Sequence, residues 1–354
     1  MLNVCATVQR CIGGVSGANQ TAPLMEGRLK NKEDSMMKKK IVSLVLALML
    51  CLSCVSALAA EAWTVTCPWA PSGVAAMVNQ KAASLSTTYS QDYVLVANAE
   101  KGDTATINSW LTKYTEADPQ MCFIGEGMFG ITAILDPERM NFTYDDFKYV
   151  ENLYSSIFVA SARKELGITS IDALKAYLEE GNQIMVGTNG ATGSEAFLAA
   201  ALIGAMGYGD QFYLIPYESA AEAAQAVARG EVDIAVSHQS QILETWQQGG
   251  VDVFAAFDGE PIAQGPFKGV EGVGQYGYPY FRNRCFIFAK AGADEQKIAD
   301  LKALYAQILT DEEMVDWLNN TMLLEADVMT EEEVIAHIDN VKNIVEEYYD
   351  LVAE

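Results

Sequence analysis

Short apolar runs recur along most of the chain and alternate with longer segments whose apolar residues follow a helical spacing. The runs at 63–67, 93–97, 120–124, 183–187, 212–216, 232–236 and 251–256 read as buried strands, with Tyr154 to Ala162 and Arg284 to Ala289 as two more. The helices between them carry their own punctuation. Ser219-Ala220-Ala221-Glu222 reads as a capping box, and Gly230 closes that helix; Thr169-Ser170-Ile171-Asp172 opens another, which Gly181 ends. Thr310-Asp311-Glu312-Glu313 and Thr330-Glu331-Glu332-Glu333 open two helices near the C-terminus. The last 60 or so residues are helical and acidic, with no strand longer than Leu324 to Met329. Alternating strands and helices predict an α/β protein with mainly parallel sheets. No repeat with a period of 20–50 residues is visible.

Two of the strands run into glycine-rich turns that lead straight into helices, about 120 residues apart. In the first, Trp63 to Cys67 is followed by Pro68-Trp69-Ala70-Pro71-Ser72-Gly73 and then by Val74 to Leu85. In the second, Gln183 to Val186 is followed by Gly187-Thr188-Asn189-Gly190-Ala191-Thr192-Gly193-Ser194 and a helix from Glu195 to Met206. Such a turn aims free backbone N–H groups and the positive end of a helix dipole at one point, which makes an anion site without a charged side chain. Two turns suggest two lobes, each offering one, with a small molecule between them. The chain is expected to cross between lobes near Ser155–Ala162 and to return near Arg282–Ala289. That divides it into one lobe of 60–157 plus 282–354 and a second of 158–281, with the crevice at the carboxyl ends of the strands. A two-crossover chain ending in a long helical segment is how a two-lobed, hinged solute-binding protein is built.

The first 59 residues stand apart. Met36-Met37-Lys38-Lys39-Lys40 and the apolar stretch Ile41 to Val55, followed by Ala57-Leu58-Ala59, have the form of a secretory signal peptide over 36–59. Translation is then expected to start at Met36 or Met37, with 1–35 an upstream segment outside the translated protein; a disordered extension is the rival reading. Cys51 and Cys54 have C-x-x-C spacing, but within an apolar signal core this is not a redox motif. Cys54 as a lipidated residue is an alternative that the weak lipobox leaves open. Cys67, Cys122 and Cys285 sit in or beside strands and read as buried thiols, with one bridge among them left open.

Charge narrows the list of partners. The chain carries 23 basic and 47 acidic residues; without the first 59 the counts are 16 and 44, a net charge of −28. So acidic a surface argues against nucleic acid or an anionic membrane as partner. It also repels an anionic ligand at long range, although salt screens that field within about 8 Å. No histidine or cysteine pair stands at metal-ligand spacing, and neither glycine turn matches a nucleotide-binding motif, so no metal or cofactor is expected. There is no G-x-S-x-G elbow, and an enzyme is not expected.

The candidate binding residues follow from the turns. Thr188, Asn189, Thr192, Gly193 and Ser194 offer hydroxyls, an amide and backbone N–H groups, or in the plainer reading only cap a helix. Ser72, Gly73 and Val74 would act through backbone amides, and Trp69 as an apolar wall or simply a core aromatic. Ser237 and His238 end a strand and so should reach the crevice edge. Arg282, at the return crossing with Arg284, could hold a carboxylate or pair with an acidic side chain. Glu126 could meet a ligand ammonium group or be an ordinary loop carboxylate. His337, on the acidic C-terminal helix, reads as solvated surface.

These segments resemble the tripartite tricarboxylate transporter substrate-binding proteins, the Bug family. Pro68-Trp69-Ala70-Pro71-Ser72-Gly73 is similar to that family's P-F-x-P-G-G opening, and Gly187 to Ala199 to its G-S-x-G-x-G-S-x-x-H-L-A segment. Pro216-Tyr217-Glu218-Ser219 with Ala226 to Asp233 resembles its P-Y-K-G … L-L-G-G-Q-V-D block, and Gly274 to Ala289 its return segment. The resemblance implies a two-lobed, type II-like periplasmic-binding-protein fold. It also implies an extracytoplasmic, monomeric receptor that closes on a small organic acid and delivers it to a membrane permease. In the family the glycine turns hold carboxylates by backbone amides, hydroxyls and water. A sensing subunit for a membrane kinase or chemoreceptor, or an amino acid or other zwitterion as ligand, are the alternatives. Val74-Ala75-Ala76-Met77, Phe197 and Glu218-Ser219 depart from the family pattern. Those departures leave the fold assignment intact and separate it from a tricarboxylate specificity.

Overall fold

The computed structural model describes residues 60–353. The expected upstream segment, the signal peptide and the four cysteines before Ala60 lie outside the described residues. Two five-stranded sheets form the frame, ordered β2-β1-β3-β10-β4 and β7-β6-β8-β5-β9. The first holds β1 (Glu61–Cys67), β2 (Tyr93–Ala99), β3 (Gln120–Gly125), β4 (Phe147–Ser156) and β10 (Asn283–Lys290). The second holds β5 (Phe158–Arg163), β6 (Ile184–Asn189), β7 (Phe212–Tyr217), β8 (Ile234–His238) and β9 (Val251–Ala256).

Both sheets are mixed, which corrects the expectation of mainly parallel pairing. β1 pairs in parallel with β2 and β3, and β6 with β7 and β8. β10 is antiparallel to β3 and β4, and β5 is antiparallel to β8 and β9. The reversed strand is in each case the one that has just crossed over, so it enters its sheet from the opposite end. The apolar run Tyr154 to Ala162, read as one strand, is in fact two. β4 ends at Ser156 in the first sheet and β5 begins at Phe158 in the second, leaving Ile157 alone as the crossing.

Side-chain alternation sorts the core onto four sheet faces. Along β10, Cys285, Ile287 and Ala289 face a cluster with helix α1 (Val74–Tyr89), while Phe286 and Phe288 face the aromatic cluster of Phe129, Phe147 and Tyr149. Further helices are α2 (Thr104–Lys113), α3 (Ile171–Glu179), α4 (Ser194–Ala205), α5 (Ala220–Ala228), α6 (Gln239–Gln247), α7 (Glu295–Leu309) and α8 (Glu331–Tyr348). α4 is buried without interruption from Glu195 to Ile203, as a helix apolar on every side must be. What covers it is α8, whose Val341, Ile344 and Val345 join the core of the second sheet while Val334 and Ile338 join that of the first. The C-terminal helix therefore spans both sheets.

His337 lies on that helix and is buried, which corrects the surface reading. The stripe that seats α8 turns it toward Phe286, with its Nδ1 3.1 Å from an Arg284 guanidinium nitrogen. Burial, with the Arg284 charge, pushes its pKa down to about 3. Cys67, Cys122 and Cys285 are buried free thiols.

α8 also packs on a short helical segment at 126–135, and the fit leaves no spare room. A Cβ added at Gly130 would stand 2.5 Å from Val341 Cγ1. Gly130→Ala should therefore push α8 outward and lower stability by about 1–3 kcal/mol, measured by chemical denaturation. An unchanged midpoint would mean that α8 is not seated there.

Candidate functional site

Where each glycine turn meets its helix, the first residue is glycine and no side chain caps the helix. Gly73 and Gly193 hold the N-cap positions of α1 and α4 in extended conformation, with no side-chain cap hydrogen bond at either. By contrast Ser170, Ser219, Asp294 and Thr330 each accept a first-turn N–H at the starts of α3, α5, α7 and α8. The first backbone bonds of the two glycine-led helices run from Met77 N to Gly73 O (3.0 Å) and from Ala196 N to Gly193 O (3.1 Å). The amides of Val74, Ala75 and Ala76, and that of Ser194, precede these bonds and have no helical partner, while the Glu195 amide meets its own carboxylate. Glycine at 193 is obligatory, since a Cβ would stand 2.5 Å from the Asn189 carbonyl oxygen.

A chain of contacts brings the two turns together. The Trp69 ring lies against Gly125, where an added Cβ would be 3.3 Å from it. Glu126 follows, and a Cβ at Gly127 would lie 3.5 Å from Ser194 Oγ at the start of α4. Between them the Glu126 carboxylate, 1% exposed, accepts from Asn283 Nδ2 (3.0 Å), the Arg284 N–H (3.0 Å) and Ser194 Oγ (3.3 Å). Burial raises its pKa, and these donors pull it back. Next to it Glu195, 4% exposed, is pushed up to about 7 by burial, with the Glu126 charge adding to the rise and the Asn189 side chain opposing it.

The other expected residues fall into three groups. Thr188 is buried, and its hydroxyl donates to the Gly190 carbonyl at 2.8 Å, so it shapes the turn from within. Asn189, Thr192 and Ser72 are exposed at the rims of the two turns, while Val74 is half-buried. Ser237 is fully buried, on the face of β8 that also carries Ala235, and its hydroxyl finds no partner.

Two residues belong to the hinge instead. His238 Nδ1 lies 2.8 Å from Ser156 Oγ and its ring packs on Phe158 at 4.6 Å, bracketing Ile157 from both sides. Desolvation lowers its pKa to about 4, so it stays neutral. Arg282 donates to Asp258 (2.5 Å), Glu325 (2.7 Å) and Ser155 (3.3 Å), which ties the return segment to the outgoing strand. These bonds engage its guanidinium in the arrangement seen here. Sequence reading overlooked Glu195 and Asn283. The available signal was Gly125-Glu126-Gly127, a third strand-to-helix junction with glycine on both sides.

Two five-stranded sheets joined by two crossings define a two-lobed α/β fold. The chain belongs to the tripartite tricarboxylate transporter family receptors, whose family model matches residues 113–343. Solved structures agree on the fold. A TctC solute binding protein from Polaromonas is 15% identical, with a TM-score of 0.67 over 81% of this chain and 98% of its own. An R. palustris protein solved with adipate is 16% identical, with a TM-score of 0.69 over 82% and 97%. MatC from Rhodopseudomonas palustris, with bound malate, is 17% identical, with a TM-score of 0.64 over 82% and 98%. No curated protein matches the sequence. Among the described residues no helix is long and apolar enough to cross a membrane.

The buried acid at 195 should leave a signature in stability. Its folded pKa of about 7 lies above the unfolded value of 4.5, so the folded state holds the extra proton between those values. Stability from this group is present below pH 4.5 and is lost as pH rises through 7. Glu195→Gln should remove that loss. Relative to the wild type it should gain on the order of 2–3 kcal/mol between pH 5 and pH 8, measured by denaturant titration. A difference that does not change with pH would place Glu195 in contact with solvent.

Proposed function

We propose that the protein captures a small organic acid between its two lobes, 60–157 plus 282–354 and 158–281, and delivers it to a tripartite tricarboxylate-type permease. The observation that supports this reading is the glycine-led start of α4, whose Ser194 reaches Glu126, with Trp69 of the other glycine turn packed on the adjoining Gly125. A carboxylate placed there would accept several backbone N–H bonds and face the positive ends of two dipoles. Membership of the receptor family supports the assignment, as do relatives solved with adipate and malate. The ligand favours the closed arrangement because only there do both turns reach it. The protein acts outside the cytoplasmic membrane, after secretion, as a monomer, without metal or cofactor.

Binding without catalysis is the reading that the side chains favour. The one serine–histidine pair near the crossing, Ser156 and His238, has a fully buried serine, and its histidine is a weak base because burial disfavours its charged form.

Ser194 is the residue to change. Ser194→Trp should fill the space before the α4 amides and abolish binding while leaving the melting temperature of the free protein within a few degrees of wild type. In the wild type, a carboxylate at 100 times its Kd should stabilise the fold by about 2.7 kcal/mol, visible as a thermal shift. If carboxylates shift both proteins equally, the ligand does not sit at this turn.

A further inference from the structure

We infer that the ligand is zwitterionic: a carboxylate held by the amide turns and a protonated amine held by Glu126, with Glu195 beside it. This rests on the carboxylate reading of the site and narrows it. Three observations carry it.

Glu126 is a buried carboxylate held only by neutral donors: an amide side chain, a backbone N–H and a hydroxyl. A buried carboxylate ordinarily sits beside a cation, and among the described residues no lysine, arginine side chain or histidine pairs with Glu126. Each of the five arginines of residues 60–353 is committed elsewhere: Arg139 to Asp103 and Asp136, Arg163 to Asp233, Arg229 to Glu231, Arg282 to Asp258 and Glu325, and Arg284 to Asp327.

The site also holds a second acid. Glu195 is buried at the start of α4, with its carboxylate over the turn: Oε2 would stand 3.2 Å from a Cβ on Gly193. A ligand whose far end carries another carboxylate would bring its charge toward two buried acids, which hold no cation between them. An ammonium group brings the missing positive charge and three donors, and Ser194 Oγ and the second Asn283 Nδ2 contact, both at 3.3 Å from Glu126, are the longest of the present contacts and the easiest to displace. The surroundings agree, since the strong acidic charge outside the first 59 residues repels anions at long range and exerts no net force on a zwitterion.

The test is calorimetry on the purified protein with matched pairs: alanine and propionate, aspartate and succinate, glutamate and glutarate, leucine and 4-methylpentanoate. Amino-acid amides, which keep the amine and lose the carboxylate, complete the set. At least one amino acid should bind about 100-fold or more tighter than its partner without the amine, and its amide should bind far more weakly. Glu126→Gln should reduce that ratio to about tenfold or less, with folding checked by its melting curve. The wild-type pairs alone decide the matter if that variant does not fold. Equal or tighter binding of the compounds without the amine would overturn the zwitterion and leave the carboxylate reading standing. An unchanged ratio in a folded Glu126→Gln would overturn the role of Glu126. Tight binding of the amides, or of none of the compounds, would overturn both readings.

Discussion

A carboxylate removed from water must find donors, and in this protein that requirement falls on Glu126. Its three partners come from two separate places: Asn283 and the Arg284 amide at the start of the returning strand, and Ser194 at the start of α4 beside the other sheet. Satisfying one buried group thus draws together the return crossing, the helical segment after β3 and the second glycine turn. Charge-assisted bonds of this kind are roughly twice as strong as neutral ones, and losing one leaves a buried acceptor unpaired. The crevice is organised around that need.

The ends of the helices divide the labour. Four helices away from the crevice begin with a serine, threonine or aspartate that satisfies a first-turn amide. Two others, α1 and α4, begin with glycine and have no side-chain cap, and α2, behind Asp103, has none either. At the hinge the polar groups are used up among themselves: His238 with Ser156, Arg282 with Asp258 and Glu325, and Arg284 with Asp327. Across the back, α8 lays one part of its apolar stripe on each core. The lobes are therefore coupled by packing as well as by the two crossings, and motion between them has to slide or tilt that helix.

Much of the frame was legible in the sequence because it rests on local rules. Short apolar runs, glycines at helix ends and the Thr330 capping box are each decided by a few neighbouring residues. The crossing at Ile157 falls within the expected stretch 155–162, but its splitting of the run into two strands was not legible, since a strand that passes from one sheet to the next keeps its β-forming residues throughout. His337 misled because the acidic residues around it suggest a solvated helix, whereas the stripe that buries it is set by what α8 packs against. Within the site, the glycine turns and Ser194 follow from the motif. The fates of Arg282 and His238 depend on partners 24 to 127 residues away, which no local pattern reveals. Glu195 was hidden for another reason: a first-turn glutamate usually signals nothing more than a favourable dipole.

We propose that the unpaired amides of the two helix starts hold the ligand together. The most direct measurement is a titration of the amide nitrogen and proton resonances of the labelled protein with a ligand that stabilises it. Large, saturating shifts are expected at Val74, Ala75, Ser194 and Glu195 in concert, with one shared Kd. Shifts confined to one of the two helices, or centred on residues away from both turns, would contradict it.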